Sequence, residues 1–525
     1  MVFAKKQRKP RRRSLPSSFT FQAPVRGWIV NEPLANSKPG GARVFENWFP
    51  TRTGARVRGG SRKYATISTG PVLRMFTYKN GGVEEFFASD AGNIFNITTV
   101  LNPSAIPTPV VTGQTSGYYS TAQMSNAGVT NLTVVNGTDP PRNYDGATWT
   151  TPAFTGLATP EDLSFVWSFA SRLFYVRKNT MSVYYLAVDT IAGALSEFSL
   201  AGVFQEGGSL LFGGKWSLDS GDGLDDKCVF VSTEGEVAVF QGTNPSDPDN
   251  WQKVGVYKIT PPMGMNATMS AGGDFLMAVE EGIVPISEAV NKDAAALSLS
   301  AVTRNIEPEW KKEVLSRKAL PWEIIKWPTN NMMIVSLPAP DAGIEPYCFV
   351  ANLETGAWAK FTGWDTRSIA HYSGSGYFGT NTGTIHQMEV GGSDDGMPYV
   401  CAYAGLPEHL RIPGAIKTVH SARAIFLSSV PFNAKISAST NYEVSFPSAP
   451  SSVANFVVDV WDVGRWDVSK WDSSSNPTVS SKWVSIGKSG IVVSPQIQIT
   501  YGVVPLPDTE LIVFEVLYER GGFQV

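Results

Sequence analysis

The chain has 525 residues, of which 42% are hydrophobic, 11% aromatic and 17% charged. This composition is typical of a globular protein and is too apolar for an intrinsically disordered one. The net charge of −3 conceals an uneven distribution, because residues 1–63 carry 15 Lys and Arg against only Glu32 and Glu46, a balance of +13. The other 28 basic and 44 acidic residues give −16, which indicates a basic N-terminal segment on an acidic body.

The glycine and proline content favours a mainly β protein. There are 49 glycines and 35 prolines among many Val, Thr and Ser residues, a pattern of short strands and frequent turns. Cys228, Cys348 and Cys401 have no motif spacing, so we expect buried thiols and a reducing compartment rather than disulfides. No apolar run approaches about 18 residues and none follows the N-terminal charges, so we expect neither a signal peptide nor a membrane span.

Residues 1–25 are predicted to form a flexible basic arm, since their composition is too polar to order without a partner. Its cations are Lys5, Lys6, Arg8, Lys9, Arg11, Arg12 and Arg13. They are interpreted as a partner-docking arm, with DNA contact or a solubilising role as alternatives. No aromatic residue interleaves them, so base stacking is not indicated. Residues 26–66 follow as an extended strap, with Trp28, Trp48 and Phe49 as anchors.

Residues 67–400 repeat one local pattern, a hydrophobic strand, a polar turn and a second hydrophobic strand. Five copies surround Gly92, Gly235, Gly282, Gly356 and Gly383, and weaker copies lie at 132–149 and 171–188. Each is predicted to be a hairpin, with glycine where φ is positive. Seven hairpins at roughly 45 residues each match the blade period of a β-propeller, so we predict about six to seven blades. A helical insertion is predicted near 288–317.

Residues 401–525 contain longer hydrophobic runs and are predicted to form a C-terminal all-β domain, or alternatively strands that close the propeller. This part holds Trp461, Trp466, Trp471 and Trp483, the first three each followed by Asp and spaced five apart. That spacing puts the indoles on no single face of a strand or helix, and it is far from the 40 to 45 residues of WD-type blades. We interpret the four tryptophans as a packed structural cluster, with sugar-stacking platforms as the alternative.

Motifs for catalysis and for metal binding are weak. "GSGYFG" at 374–379 matches a dinucleotide-binding pattern but leads into a predicted strand, not a helix. Asp219, Asp222, Asp225 and Asp226 lack calcium-loop spacing and suggest a solvated acidic turn. The four histidines have no ligand spacing, and only a glycosidase-like carboxylate pair stays open. We therefore expect a non-enzymatic protein with no cofactor and no metal.

Several stretches resemble the tail tube or nozzle proteins, also called tail stabilisation or hub proteins, of short-tailed bacteriophages. The most specific is "GDGLDDKCVFVSTEGEVAVFQGTNPSDPDNWQKVGVYKIT" at 221–260, followed by "PPMGMNA" and "GGDFLMAVEEGIVPIS". The strap "NWFPTRTGARVRGGSRKYA", the Trp-Asp-rich stretch and the final "YERGGFQV" are also similar to that family. The resemblance spans most of residues 26–525.

The resemblance implies a propeller-bearing virion subunit that forms a homo-oligomeric ring, typically a hexamer, below the portal and adaptor rings of the phage neck. Such a ring is a conduit for double-stranded DNA during ejection, and tail fibres or spikes are further possible partners. It would be assembled in the host cytoplasm, and an acidic wall would repel the passing phosphates. The competing interpretation is a glycan-binding propeller that recognises carbohydrate on the host surface.

Overall fold

The structure is a computed structural model that describes residues 16–219, 224–291, 294–318, 320–338, 345–452, 478–502 and 505–523. It divides into two compact units. One comprises the described parts of Met1–Trp28, Glu32–Val57 and Val400–Val525, and the other comprises Ile29–Asn31 and Arg58–Tyr399. No helix in the described ranges is long and apolar enough to cross a bilayer.

The larger unit contains most of the strands and the two α-helices. Its strands are β5 (Ser61–Thr66), β6 (Arg74–Asn80), β7 (Val83–Ser89), β8 (Ile94–Asn96), β9 (Pro109–Val111), β10 (Ser120–Asn126), β11 (Val129–Val135), β12 (Arg142–Tyr144), β13 (Trp149–Thr150), β14 (Phe154–Thr155), β15 (Leu163–Phe169), β16 (Arg172–Arg177), β17 (Ser182–Tyr185), β18 (Gly193–Ala194), β19 (Ser196–Ser199), β20 (Leu210–Asp219), β21 (Leu224–Ser232), β22 (Glu236–Gly242), β23 (Trp251–Lys258), β24 (Thr268–Ala271), β25 (Asp274–Val279), β26 (Gly282–Pro285), β27 (Glu323–Trp327), β28 (Met332–Ser336), β29 (Tyr347–Asn352), β30 (Trp358–Thr362), β31 (Ser368–Tyr372), β32 (Ser375–Gly379) and β33 (Thr384–Met388). The helices are α1 (Ile286–Asn291) and α2 (Glu307–Arg317).

These strands form a β-propeller with seven blades in the described part of the unit. In chain order, blade 1 is β6-β7-β8-β9, blade 2 is β10-β11-β12-β13, blade 3 is β15-β16-β17-β19, blade 4 is β20-β21-β22-β23, blade 5 is β24-β25-β26, blade 6 is β27-β28-β29-β30 and blade 7 is β31-β32-β33-β5. Each blade contacts the next, and contact between β31 and β6 closes the ring. The predicted mainly β propeller is therefore confirmed.

The seven predicted hairpins fall one in each blade, as its second and third strands except in blade 6, where the hairpin at Gly356 joins the third and fourth strands. Gly235, Gly282, Gly356 and Gly383 have positive φ, as expected. The prediction is wrong for Gly92, where Asp90 accepts hydrogen bonds from the backbone N–H groups of the turn and φ is not positive. In the hairpin of blade 3, which has no glycine, Asn179 takes the positive φ of 58° instead.

Strand β5, the first strand of the larger unit in chain order, closes the ring as the fourth strand of blade 7, antiparallel to β33. Residues 61–66 were predicted to belong to the strap, and the structure instead makes them part of the propeller. The alternative that strands beyond residue 400 complete the propeller is not what the structure shows. Blade 5 has three strands, and both helices contact its last strand, β26, so that this edge is covered rather than open.

The hydrophobic core of the propeller consists of layers between neighbouring blades. Between blades 3 and 4, Trp167 stacks on Phe174 and lies edge-on to Phe230, and Trp251 stacks on Phe240. Such aromatic pairs add about 0.5 to 1.5 kcal/mol each beyond the area they bury. Cys228 lies in the same layer, and all three cysteines are buried thiols, as predicted.

The smaller unit is all β. Its strands are β1 (Ser17–Gln22), β2 (Ala42–Glu46), β3 (Trp48–Pro50), β4 (Ala55–Val57), β34 (Tyr399–Gly405), β35 (Ala415–Ser428), β36 (Ala434–Thr440), β37 (Thr478–Ser481), β38 (Val484–Gly490), β39 (Val493–Tyr501) and β40 (Glu510–Phe523). The two longest, β35 and β40, pair antiparallel in a sheet that also includes β1, β3, β4, β37 and β38. Strands β2, β34, β39 and β36 are neighbours in a second sheet.

Candidate functional site

Most of the residues selected from the sequence lie outside the described ranges. They are the arm residues Lys5, Lys6, Arg8, Lys9, Arg11, Arg12 and Arg13, and the tryptophans Trp461, Trp466 and Trp471. Their interpretation stays a prediction. The fourth tryptophan, Trp483, is described.

Trp483 precedes β38 and is 44% exposed, and the predicted cluster stays a prediction because its other three tryptophans lie outside the described ranges. The Arg423 guanidinium lies 4.8 Å from the centroid of its ring, and Arg423 Nε donates a hydrogen bond to Glu515. Among the described strands, β38 pairs with β35. This face presents an aromatic ring beside one positive and one negative side chain.

The acidic turn lies only partly within the described residues. Of its four aspartates, Asp226 has described side-chain contacts, and one of them is an ion pair. Asp226 Oδ2 lies 2.7 Å from Lys215 Nζ, and Asp226 also accepts a hydrogen bond from Ser217. Although burial opposes the shift, these hydrogen bonds lower the pKa of the Asp226 carboxyl. No cluster of three or more candidate metal ligands occurs in the described ranges.

The glycines of "GSGYFG" permit close packing in blade 7. A Cβ atom on Gly376 would lie 2.8 Å from the Trp327 ring, and one on Gly379 would lie 2.5 Å from Val72. The segment is strand β32, with β33 following it, so the dinucleotide-binding pattern has no helix N-terminus here.

A polar cluster at one mouth of the propeller channel is the most developed site in the described residues, and we call it the channel cluster. It consists of Arg74, Tyr118, Asn266, Glu323 and Arg367. Arg74 and Glu323 begin the first strands of blades 1 and 6, and the other three lie one or two residues before the first strands of blades 2, 5 and 7. Since these strands start at the same end of the ring, five blades contribute to one mouth.

The channel cluster is built on a buried ion pair between blades 1 and 6. Arg74 Nη1 lies 2.7 Å from Glu323 Oε1, and the Glu323 side chain is 1% exposed. The other carboxylate oxygen, Oε2, accepts hydrogen bonds from Ser368 Oγ at 3.1 Å and from the backbone N–H of Ile369 at 2.9 Å. Glu323 is thereby fixed by blade 7, and it fixes Arg74 in turn.

Tyr118 and Asn266 meet in this cluster, although blades 2 and 5 are as far apart as a ring of seven allows. Burial, followed by the charge of Glu323, raises the pKa of the Tyr118 hydroxyl, while Arg74, Asn266 and Arg367 act in the opposite direction. The side chains of blades 2 and 5 therefore approach each other near the axis of the ring at this mouth.

Several polar atoms of the channel cluster are buried without a hydrogen-bond partner among the described residues. They are Arg74 Nε, Tyr118 Oη, Asn266 Nδ2 and Glu323 Oε1, of which the last is in the ion pair. Arg367 has no ion-pair partner among the described carboxylates. A buried donor without an acceptor costs about 1 to 3 kcal/mol, so this arrangement favours a bound acceptor.

A second polar site, the Arg58 clasp, has a structural role. Arg58 is completely buried and makes two contacts with Asp394, at 2.6 and 3.0 Å. Its guanidinium also lies 4.7 Å from the Trp364 ring and 4.0 Å from the Tyr399 ring. The clasp holds the turn that precedes β5, and it uses the Arg-Gly-Gly element that the sequence analysis singled out for its resemblance.

No protein-family model matches the chain, and no curated protein matches it in sequence. Among solved structures, it is similar to YCF48 bound to a D1 peptide, with 13% identity, a TM-score of 0.36 and coverage of 63% of this chain and 97% of that one. It is also similar to the WD40 β-propeller domain of Doa1, with 11% identity, a TM-score of 0.37 and coverage of 63% and 97%. The β-propeller domain of Cps50 (Swd1) from Myceliophteria thermophila is similar with 11% identity, a TM-score of 0.39 and coverage of 63% of this chain and 99% of that one.

The sequence analysis missed all five members of the channel cluster. They are single residues separated by whole blades, and no local spacing connects them. The only available signal was the propeller prediction itself, which implies that residues just before each blade's first strand converge at one mouth.

Proposed function

We propose that this chain is a structural subunit of the tail nozzle of a short-tailed bacteriophage and assembles into a homo-oligomeric ring that conducts DNA. The observation that carries the proposal is the sequence resemblance over residues 26–525. The mainly β architecture, with a propeller and a further all-β unit, is consistent with it. The basic arm would dock on the adjoining adaptor ring, and the chain would act without catalysis.

In this proposal the conduit is formed between copies of the chain and not by the propeller channel. Tyr118 and Asn266 meet across that channel, and Arg74 pairs with Glu323 beside them. Since these side chains occupy the mouth of the propeller channel, the proposal places the DNA path elsewhere. The acidic balance of −16 outside residues 1–63 would keep the wall of such a conduit from binding phosphate.

Electron microscopy of the purified full-length protein tests the proposal. We expect rings with a central hole, six copies being the expected number, and mass photometry should give the corresponding multiple of the 56.8 kDa chain. The chain could also assemble only on its adaptor ring, so the same imaging is done on intact tails. A strictly monomeric particle within an intact tail would contradict the proposal.

The second candidate, a glycan-binding propeller protein, is favoured by the exposure of Trp483. An open indole beside Arg423 and Glu515 has the amphipathic chemistry of a sugar-stacking platform. Trp483→Ala should leave the melting temperature nearly unchanged, since the ring is 44% exposed. If host-glycan binding exists and is lost in this variant, recognition becomes the better function.

Trp466→Ala is the companion variant in the same pair of assays. If Trp466 is packed, as the sequence predicts, its truncation should cost about 3 to 5 kcal/mol of unfolding free energy. If it is a platform, stability should be retained and glycan binding lost.

A further inference from the structure

We propose that the channel cluster of the propeller binds one small oxyanion, a carboxylate or a phosphate group, between Arg74, Tyr118, Asn266 and Arg367. The inference does not depend on the proposed tail assembly, because the cluster lies entirely within the propeller unit. It rests on which polar atoms converge there and which of them have no partner.

The unsatisfied atoms are mainly hydrogen-bond donors. Arg74 Nε and Asn266 Nδ2 can only donate, and the Tyr118 hydroxyl carries a proton at neutral pH, as any tyrosine does, so it can donate as well. Arg74 is held in place by Glu323, so its Nε–H is a fixed donor. A ligand that offers several acceptor oxygens within a small volume satisfies these groups together, and a carboxylate or phosphate has that geometry.

The charges at the mouth are compatible with an anion. Glu323 is neutralised by Arg74 and fixed by hydrogen bonds from Ser368 and Ile369. The second nearby carboxylate, Asp365, accepts hydrogen bonds from the backbone N–H of Asn381 at 2.8 Å and from Asn381 Nδ2 at 3.1 Å. Arg367 forms no close ion pair with a described carboxylate, and its charge acts on both Tyr118 and Asp365. An incoming anion would therefore gain mainly from hydrogen bonds, since Glu323 and Asp365 balance the charges of Arg74 and Arg367.

The side chains of the site are partly exposed, although their unpartnered polar atoms are themselves buried. Glu323, which holds the site together, is 1% exposed, whereas 18% of the Arg74 side chain is accessible. Tyr118, Asn266 and Arg367 are half-buried. A ligand would therefore reach the buried donors by way of these partly exposed side chains, while Glu323 continues to hold Arg74. An oxyanion could be a free small molecule or the acidic group of a partner inserted at the mouth.

Isothermal titration calorimetry on the full-length protein tests the inference. The protein is titrated separately with inorganic phosphate, sodium acetate and sodium chloride at matched ionic strength. We expect saturable binding with one site per chain for phosphate, acetate or both, and no equivalent binding of chloride. Saturable binding of phosphate but not acetate would identify the site as one for phosphate groups. Saturable binding of acetate but not phosphate would identify it as a carboxylate site. If neither oxyanion binds saturably, water satisfies these donors and the proposal is wrong.

Variants place the binding at the cluster. Tyr118→Phe removes one donor and should weaken binding about tenfold or more, whereas Asn266→Asp replaces a donor by a negative charge and should abolish it. The control is Tyr119→Phe, because the neighbouring hydroxyl already has a partner, Gln114, at 3.3 Å. Melting curves verify that each variant folds. If Asn266→Asp does not fold, the affinity of Tyr118→Phe alone tests whether the anion binds at the cluster. Wild-type affinity in Tyr118→Phe would place any binding elsewhere and overturn the proposal.

Discussion

At the scale of single residues, several carboxylates act as acceptors for the backbone of the connections between blades. Asp139 accepts hydrogen bonds from the N–H groups of Thr115 and Ser116, just ahead of blade 2. Glu236 accepts from the N–H groups of Gln205 and Glu206, just ahead of blade 4. Part of the acidic surplus is therefore used inside the fold, where a loop's unpaired N–H groups need acceptors.

Asp139→Asn should destabilise the protein at pH 7 by about 1 to 3 kcal/mol. Both carboxylate oxygens of Asp139 accept hydrogen bonds, whereas an asparagine amide has one oxygen that accepts and one nitrogen that cannot. Burial opposes ionisation of Asp139, but hydrogen bonds from Thr115 and Asn136 outweigh it and lower the pKa of the carboxyl. The native carboxylate therefore binds its proton less tightly than the unfolded one. Its contribution is present above the unfolded pKa, near 4, and is lost as the pH falls through the native value.

Urea denaturation of the wild type and of Asp139→Asn between pH 7 and pH 3 measures how much the Asp139 carboxylate contributes to the free energy of unfolding at each pH. The stability difference should shrink as the pH falls. Asp249→Asn, at an exposed position, is the control and should change stability little at any pH. A difference that stays constant with pH would mean that the ionised carboxylate is not what stabilises the connection.

At the scale of elements, closure of the ring depends on the turn between the Arg58 clasp and β5. The backbone passes so close to Ser393 at this point that a Cβ atom on Gly60 would lie 2.0 Å from the Ser393 carbonyl oxygen. The N–H of Gly60 also donates to the carbonyl of Gly391 at 2.8 Å. The turn is thus fixed on both sides before β5 pairs with β33.

Gly60→Ala should lower the melting temperature markedly, since backbone atoms must move to admit the methyl group. The matched control is Gly70→Ala, because a Cβ atom at Gly70 would meet nothing within 4 Å and its φ is not positive. Differential scanning calorimetry of both variants gives the comparison. Equal melting temperatures would show that the turn does not contribute to closure.

The elements that could be predicted from the sequence are those specified by residues close together in the chain. Each hairpin joins two adjacent hydrophobic strands through a turn such as that at Gly235, so a window of about 15 residues contains the whole signal. The Arg58 clasp could not be predicted in this way, because Arg58 and Asp394 are 336 residues apart. The same holds for the channel cluster. The pairing of β38 with β35 is likewise non-local, since Val484 pairs with Ala422.

At the scale of the whole molecule, the chain combines an acidic body with a basic segment at its start. The charge balances of +13 and −16 lie on either side of residue 63. A cationic arm of this kind binds an acidic partner surface through interactions that salt screens, with a Debye length of about 10 Å at 0.1 M. The arm is therefore expected to contribute to attachment and not to the stability of the fold.

On the proposed tail assembly, deletion of residues 1–13 should leave thermal unfolding unchanged and weaken attachment to the adaptor ring. Pull-down on purified adaptor rings at several salt concentrations measures the second effect, and binding by the truncated chain should depend less on salt. Replacement of the seven cations by Gln in the full-length chain is the control for length. Unchanged attachment in both variants would reduce the arm to a solubilising segment.

The use of β5 as the closing strand has a consequence for synthesis on the ribosome. β5 is among the first strands made, yet its partner β33 ends at Met388. At about 5 to 20 residues per second, β5 waits for tens of seconds before its partner emerges. An unpaired strand exposed for so long is open to pairing with another nascent chain, and adjacent positive charges discourage such pairing. Arg62 and Lys63 stand at the start of β5, and we infer that they protect the chain while it is still incomplete.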